Sequence, residues 1–331
     1  MDALLEVNDL TIQFRTPEGV ITAVEGVGFR VRKGELLCVV GESGCGKSVT
    51  ALSILRLLAD NALYVSGDIQ FEGQNLLELS EKEMREIRGS DISMIFQEPM
   101  TSLNPVHTIG KQISEAYLLH IEKDKKKAWD KSIEMLKMVG VPDAERVAKS
   151  FPHQLSGGMR QRVMIATAMI CQPKLLIADE PTTALDVTIQ AQILDILSDL
   201  QEKNDLAIMF ITHDLAIVAK IADYIIVMYA GKIVEEGTPE AIFFEPMHPY
   251  TEGLLKCIPR VDQKVDELFV IAGNVPNPST YASGCRFHDR CPYATELCEK
   301  EMPALELRDG RKYACHFTPA DRKIRGGAHV D

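Results

Sequence analysis

The stretch GESGCGKSVT, residues 41–50, follows the apolar run ELLCVV (35–40) and leads into ALSILRLL (51–58), whose apolar spacing is helical. A strand-to-helix turn needs one glycine, or two. Three of them, followed by Lys47 and Ser48, match the G-x-x-x-x-G-K-[ST] pattern at Gly41, Gly46, Lys47 and Ser48. Glycine lets the backbone curl so that its N–H groups close on an anion, and the following helix points its positive end at the same place. The backbone of Ser43, Gly44, Cys45, Gly46, Lys47, Ser48 and Val49 is therefore expected to cradle phosphates. Lys47 reaches the β- and γ-phosphates, and Ser48 ligates Mg²⁺. The competing reading is a glycine-rich turn with an incidental lysine. The strand before it and the helix after it favour the phosphate site.

Composition narrows the class. The chain has 331 residues, a formal net charge of −12 and eight cysteines. Its acidity disfavours a sequence-blind nucleic-acid binder. The start, MDALLEVNDL, has neither a basic segment nor an apolar signal core, and the longest apolar runs have strand length. The chain therefore reads as soluble and cytosolic, with any membrane attachment made through a partner. Cys38, Cys45, Cys171 and Cys257 are scattered, whereas Cys285, Cys291, Cys298 and Cys315 crowd near the end. A reducing compartment argues for metal binding or catalysis by that group rather than disulfides.

Residues 4–14 and 20–31 read as strands joined by a loop around TPEG, and 47–58 as the helix after the glycine loop. SEKEMREI places Ser80 and Glu83 in capping-box spacing. DISMIF, KLLIAD, LAIMFIT and YIIVMY read as strands, GGMRQRVMIATAMI and VTIQAQILDILSDLQEK as helices, and 107–150 as mostly helical. This alternation predicts an α/β fold: a P-loop NTPase core with a mostly parallel sheet, antiparallel N-terminal strands and a helical insertion over about 85–160. After about residue 255 the pattern dissolves into Pro- and Cys-rich irregular sequence. Domains are expected over 1–255 and 256–331.

LLIADE ends an apolar strand in Asp179 and Glu180. A carboxylate there binds Mg²⁺ through water, and its neighbour polarises an attacking water. LSGGMRQR (155–162) offers a second cluster of N–H donors at a helix start. With these residues in place, the chain resembles the ATP-binding-cassette family over about residues 3–255. The resemblance implies that Ser156, Gly157 and Gly158 close over ATP held by another subunit. It implies that Gln97, in FQEPMTSLNP, touches Mg²⁺ and faces a membrane partner. Asp186, in TALD, takes the cross-dimer role, and His213, in ITHD, contacts the γ-phosphate. Phe14 is the positional match for the aromatic that stacks on adenine. Met159 and Val49 depart from the common pattern without removing a phosphate or metal contact.

FQEPMTSLNPVHTIGKQI, DEPTTALDVTIQAQIL and HPYTEGLL (248–255) resemble the peptide-importer ATPases, which serve dipeptide, oligopeptide and nickel uptake. The resemblance implies a peripheral subunit on the cytoplasmic face of the membrane. Its partners would be a sister ATPase, in a homo- or heterodimer, two integral membrane permease subunits and, indirectly, an external peptide-binding protein. No nucleic acid is expected. A nickel importer ATPase is the nearer alternative. A soluble cassette ATPase acting on nucleic acid is the other; the short segment between Gln97 and Leu155 leaves no room for the long coiled coil such proteins carry. Cys285, Cys291, Cys298 and Cys315 are separated by five, six and sixteen residues. Spacing alone leaves zinc, an iron–sulfur cluster and free thiols open. The resemblance implies a [4Fe–4S] cluster on these four thiolates, with Zn²⁺ as the alternative. His288 and His316 read as surface residues. Sequence distance from every ATP motif implies a structural role for the cluster.

Overall fold

The computed structural model describes residues 3–98, 102–183, 185–258, 269–308 and 310–326. Residues 99–101 of the glutamine loop, Ala184 of TALD, and 259–268, 309 and 327–331 of the C-terminal region lie outside the described residues. The chain divides into two compact units, each drawn from separated segments. One comprises Met1–Leu4, Val31–Leu36 and Phe71–Ile211; the other comprises Leu5–Arg30, Leu37–Gln70 and Thr212–Asp331.

In the first unit the strands Ile92–Ile95, Leu175–Asp179 and Ala207–Thr212 run parallel. Ile92 pairs with Leu175, and Leu175 with Ala207; at the other end Asp179 pairs with Ile211. The latter two strands are buried along their whole length. Near-continuous apolar runs covered on both faces have this character. Helices Ile109–His120, Lys125–Met138, Ala144–Lys149 and Gly157–Met169 pack together beside them. A Cβ on Gly110 would stand 2.5 Å from the Trp129 ring, so glycine lets the indole lie against the first of these helices. The capping box forms as the sequence predicts: Ser80 accepts from the Glu83 N–H, and the Glu83 carboxylate accepts from the Ser80 N–H at 2.8 Å.

Ala3–Thr16 and Gly19–Arg32, most of whose residues belong to the second unit, form a hairpin across Pro17 and Glu18, closed by Thr16 Oγ1 donating to the Gly19 carbonyl at 2.9 Å. Leu36–Val40 runs parallel to Tyr224–Tyr229, which pairs antiparallel with Lys232–Gly237. The sheet is therefore mixed rather than mostly parallel. The C-terminal region is also less irregular than its sequence implies. Arg311–Tyr313 pairs with Lys232–Gly237, and Glu306–Arg308 adds to Arg311–Tyr313. The helix after the glycine loop spans Lys47–Ile54 rather than 47–58. Arg56 adopts φ +52, with Leu57 N–H donating to Leu52 O and Arg56 N–H to Ser53 O. This doubly bonded left-handed cap ends the helix without a glycine.

Candidate nucleotide site and cysteine cavity

Gly41 is required for space. A Cβ there would lie 2.2 Å from the Met228 carbonyl oxygen and 2.7 Å from Cys45 Sγ. Gly46 holds φ +103 just before the helix and provides no side-chain cap. The N–H groups of the first helical turn thus receive no bond from a capping side chain, the arrangement that favours an anion. Lys47 is buried, and its ammonium donates to the Gly41 and Glu42 carbonyls at 2.7 and 3.0 Å. Cys45 is fully buried, and burial pushes its thiol pKa up, so it contributes backbone and packing. Ser43 and Gly44 are exposed, while Gly46, Ser48 and Val49 are half-buried. Phe14 lies half-buried in Ala3–Thr16, and His213 is exposed just after the strand that ends at Thr212.

In the other unit, Asp179 is buried at the end of its strand and Glu180 follows at φ +46. The Glu180 N–H donates to Ile211 O at 3.0 Å, which anchors this bend to the neighbouring strand. Its carboxylate accepts from Gln97 Nε2 at 3.0 Å and from Thr183 Oγ1 at 2.9 Å. Two residues separated by 83 positions meet here. With its amide nitrogen on Glu180, Gln97 keeps its carbonyl oxygen for a hard cation. Ser156 caps Gly157–Met169 by accepting from Met159 N–H at 3.4 Å. Asp186 caps Val187–Asn204 by accepting from Ile189 N–H at 2.9 Å. The signature glycines differ. A Cβ on Gly157 would be 3.8 Å from Leu185, whereas one on Gly158 would be 2.8 Å from Ile189 Cγ2. Gly158 therefore has a packing role, and the exposed Ser156–Gly157 pair presents the surface.

Cys285, Cys291, Cys298 and Cys315 all line one small cavity, together with His288 and His316. Both histidines are half-buried rather than superficial, and His288 Nδ1 lies 2.7 Å from the Cys285 carbonyl oxygen. Burial raises the Cys285 thiol pKa to about 11 and that of Cys291 to about 12, and also raises Cys315. Acting against burial, the Phe287 and His288 N–H groups face the Cys285 sulfur, the Tyr293 N–H faces that of Cys291, and the Phe317 N–H that of Cys315. Among the described residues, no group of three or more His, Cys, Asp or Glu side chains is arranged to hold a metal ion.

The sequence reading missed what holds the glycine loop. Tyr250, in HPYTEGLL, accepts the Glu42 N–H at 2.8 Å, and Arg290 grips the Glu42 carboxylate at 2.7 and 3.0 Å. The tyrosine lay within a quoted motif. Nothing marked an arginine between two cysteines.

Residues 24–183 match the ABC transporter family. The oligopeptide transport ATP-binding protein AppD of Bacillus subtilis is 51% identical over 317 residues, covering 95% of this chain and 97% of AppD. The chain belongs to the ABC transporter family. The oligopeptide transport ATP-binding protein OppD of Escherichia coli is 49% identical over 323 residues, covering 98% of this chain and 95% of its own. Residues 234–298 match a second family, the oligopeptide/dipeptide transporter C-terminal region. A dimeric bacterial ABC transporter cassette aligns at TM-score 0.64 and 27% identity, covering 71% of this chain and 98% of that one. Among the described residues of this ABC transporter chain, no helix is long and apolar enough to cross a membrane.

Proposed function

We propose that this chain is the ATP-hydrolysing subunit of a membrane importer for di- or oligopeptides. The observation that carries the catalytic part is the Gln97–Glu180 hydrogen bond at a strand end that also bears the buried Asp179. The extended similarity to oligopeptide transport proteins supports the substrate class. Lys47 and the N–H groups of residues 43–49 bind the phosphates. By the motif reading, Ser48, Gln97 and Asp179 would supply oxygen ligands to Mg²⁺, a hard cation. When bound, the metal supplies charge neutralisation to the β- and γ-phosphates. Glu180 orients the attacking water and takes its proton, while Gln97 and Thr183 fix the carboxylate. His213 contacts the γ-phosphate.

Ser156 and Gly157 close over the nucleotide of a sister ATPase, with Gly158 setting the helix beneath them and Asp186 acting across the dimer. Phe14 stacks on adenine. Because ATP then bridges two subunits, it favours the closed dimer by its differential affinity for that state. Two membrane permease subunits complete the assembly, with this chain at their cytoplasmic face and an external peptide-binding protein acting indirectly from the opposite side. The four C-terminal cysteines would hold a [4Fe–4S] cluster, which supplies a covalent staple to a small region when bound. That all four soft donors line one cavity supports this assignment. Co-expression with the membrane partners, followed by reconstitution, tests the whole reading: ATP-dependent uptake of a labelled tripeptide is expected. ATP hydrolysis stimulated by nickel uptake, with no response to peptides, would overturn the substrate.

A further inference from the structure

We propose that Arg290 is a positioning residue for the glycine loop, so that the cysteine-bearing C-terminal region sets the loop's affinity for nucleotide. The inference rests on the nucleotide reading of residues 41–49. Phosphate is held there by backbone N–H groups, whose directions follow from the loop's dihedral angles. Whatever fixes those angles in advance removes an ordering cost from binding.

Glu42 is where the loop begins to curl, and it is held through three of its groups. Its carboxylate takes both ends of the Arg290 guanidinium, Nη1 at 2.7 Å and Nη2 at 3.0 Å. Its N–H donates to the Tyr250 hydroxyl at 2.8 Å. Its carbonyl accepts from Lys47 Nζ at 3.0 Å and from Cys45 N–H at 3.3 Å. Arg290 is itself fixed. Its Nε donates to Ala272 O at 2.9 Å, its guanidinium stands 5.7 Å from the Tyr229 ring centroid, and its side chain is 5% exposed. A two-pronged pair in so enclosed a place fixes orientation as well as charge, unlike a solvated surface pair.

The same short segment lines the cysteine cavity. Arg290 precedes Cys291, and Phe287 packs against Tyr229 at 5.2 Å and against Tyr250 at 5.5 Å between ring centroids. A rearrangement around the cysteines therefore moves both residues that hold Glu42.

The test measures MgATP affinity by fluorescence titration on the full-length chain, for the parent, Glu42→Gln, Arg290→Gln and the double variant. Each single change is expected to raise the Kd about tenfold, and the double change no more than either alone, as coupled partners do. Arg290→Lys keeps the charge and loses the fork, so it should fall between. Without nucleotide, the folded single variants should unfold below the parent's midpoint, as a broken enclosed ion pair requires, and beyond that the upward shift produced by MgATP should shrink. Parent-like Kd values in folded single variants would overturn the proposal, as would additive penalties in the double variant. A midpoint lowered equally with and without nucleotide would also overturn it, by showing a merely structural pair. Should Arg290→Gln fail to fold, Glu42→Gln, which preserves side-chain shape, decides alone. Lys47→Ala separates the two readings. If it binds ATP like the parent, the nucleotide reading falls. If it loses ATP while Glu42→Gln does not, only the role of Arg290 falls.

Discussion

Glu180 combines a left-handed backbone, φ +46, with a carboxylate held by two side chains. Such a conformation costs a non-glycine residue of the order of 1 kcal/mol or more, and it concentrates where function needs a side chain aimed. Glu180→Gln keeps the side-chain shape and removes the base. Turnover should fall about 10²- to 10⁴-fold, the usual contribution of a positioned base, while the Kd for ATP stays near the parent's. Single-turnover hydrolysis and equilibrium binding on the same preparation check both halves, and near-parent turnover would refute the assignment. At this scale the sequence was informative where a backbone shape excludes every residue but one. Gly41 was legible as the first glycine of the G-x-x-x-x-G-K-[ST] pattern, and a Cβ there would strike the Met228 carbonyl. Arg290 was not, because its partner Glu42 lies 248 positions away and neither residue type is diagnostic.

Elements were legible where their signals are local. The capping box at Ser80 and Glu83 is written within four residues and forms as expected. The end of Lys47–Ile54 was not, because Arg56 takes the left-handed cap position that normally announces itself as glycine. The strands Glu306–Arg308 and Arg311–Tyr313 escaped for a different reason. Each has three residues, and their pairing partners set them rather than their composition. The signature helix yields a prediction of its own. Gly158→Ala drives a Cβ to 2.8 Å from Ile189 and should destabilise the fold by about 1–3 kcal/mol. Ser156→Arg loses only a 3.4 Å cap bond and should cost about 1 kcal/mol or less, yet abolish hydrolysis by blocking the partner's nucleotide. Urea unfolding paired with ATPase assays distinguishes the two. A fold loss for Ser156→Arg as large as that for Gly158→Ala would reduce the signature serine to a helix cap.

At the scale of the whole molecule, order along the chain misleads. The cysteines are remote in sequence from every ATP motif, which argued for a structural role. Yet the segment that carries Cys285 and Cys291 also carries the arginine that grips Glu42. Spacing could not choose the cofactor either, since folding brings the four cysteines to the lining of one cavity without knuckle-like repeats. Anaerobically purified protein should be brown, absorb broadly near about 400 nm, and contain about four irons per chain, as a cubane on four thiolates requires. Colourless anaerobic protein with one zinc per chain would replace the cluster by zinc and leave the ATPase reading untouched.

Two hairpin turns of the second unit look alike in outline and differ in what surrounds them. At Pro17–Glu18 the chain bends in the open, and a Cβ on Gly19 would meet nothing within 4 Å. At Ala230–Gly231 the turn is a junction. Gly231 N–H donates to Cys45 O, Gly231 O accepts from Glu25 N–H, Arg286 donates to Ala230 O, and a Cβ on Gly231 would lie 2.5 Å from Ala23 O. The first turn has room to lengthen, because the space beside Gly19 is open. The second is locked in length, since one inserted residue would detach the glycine loop, the first hairpin and the cysteine region from one another at a single stroke.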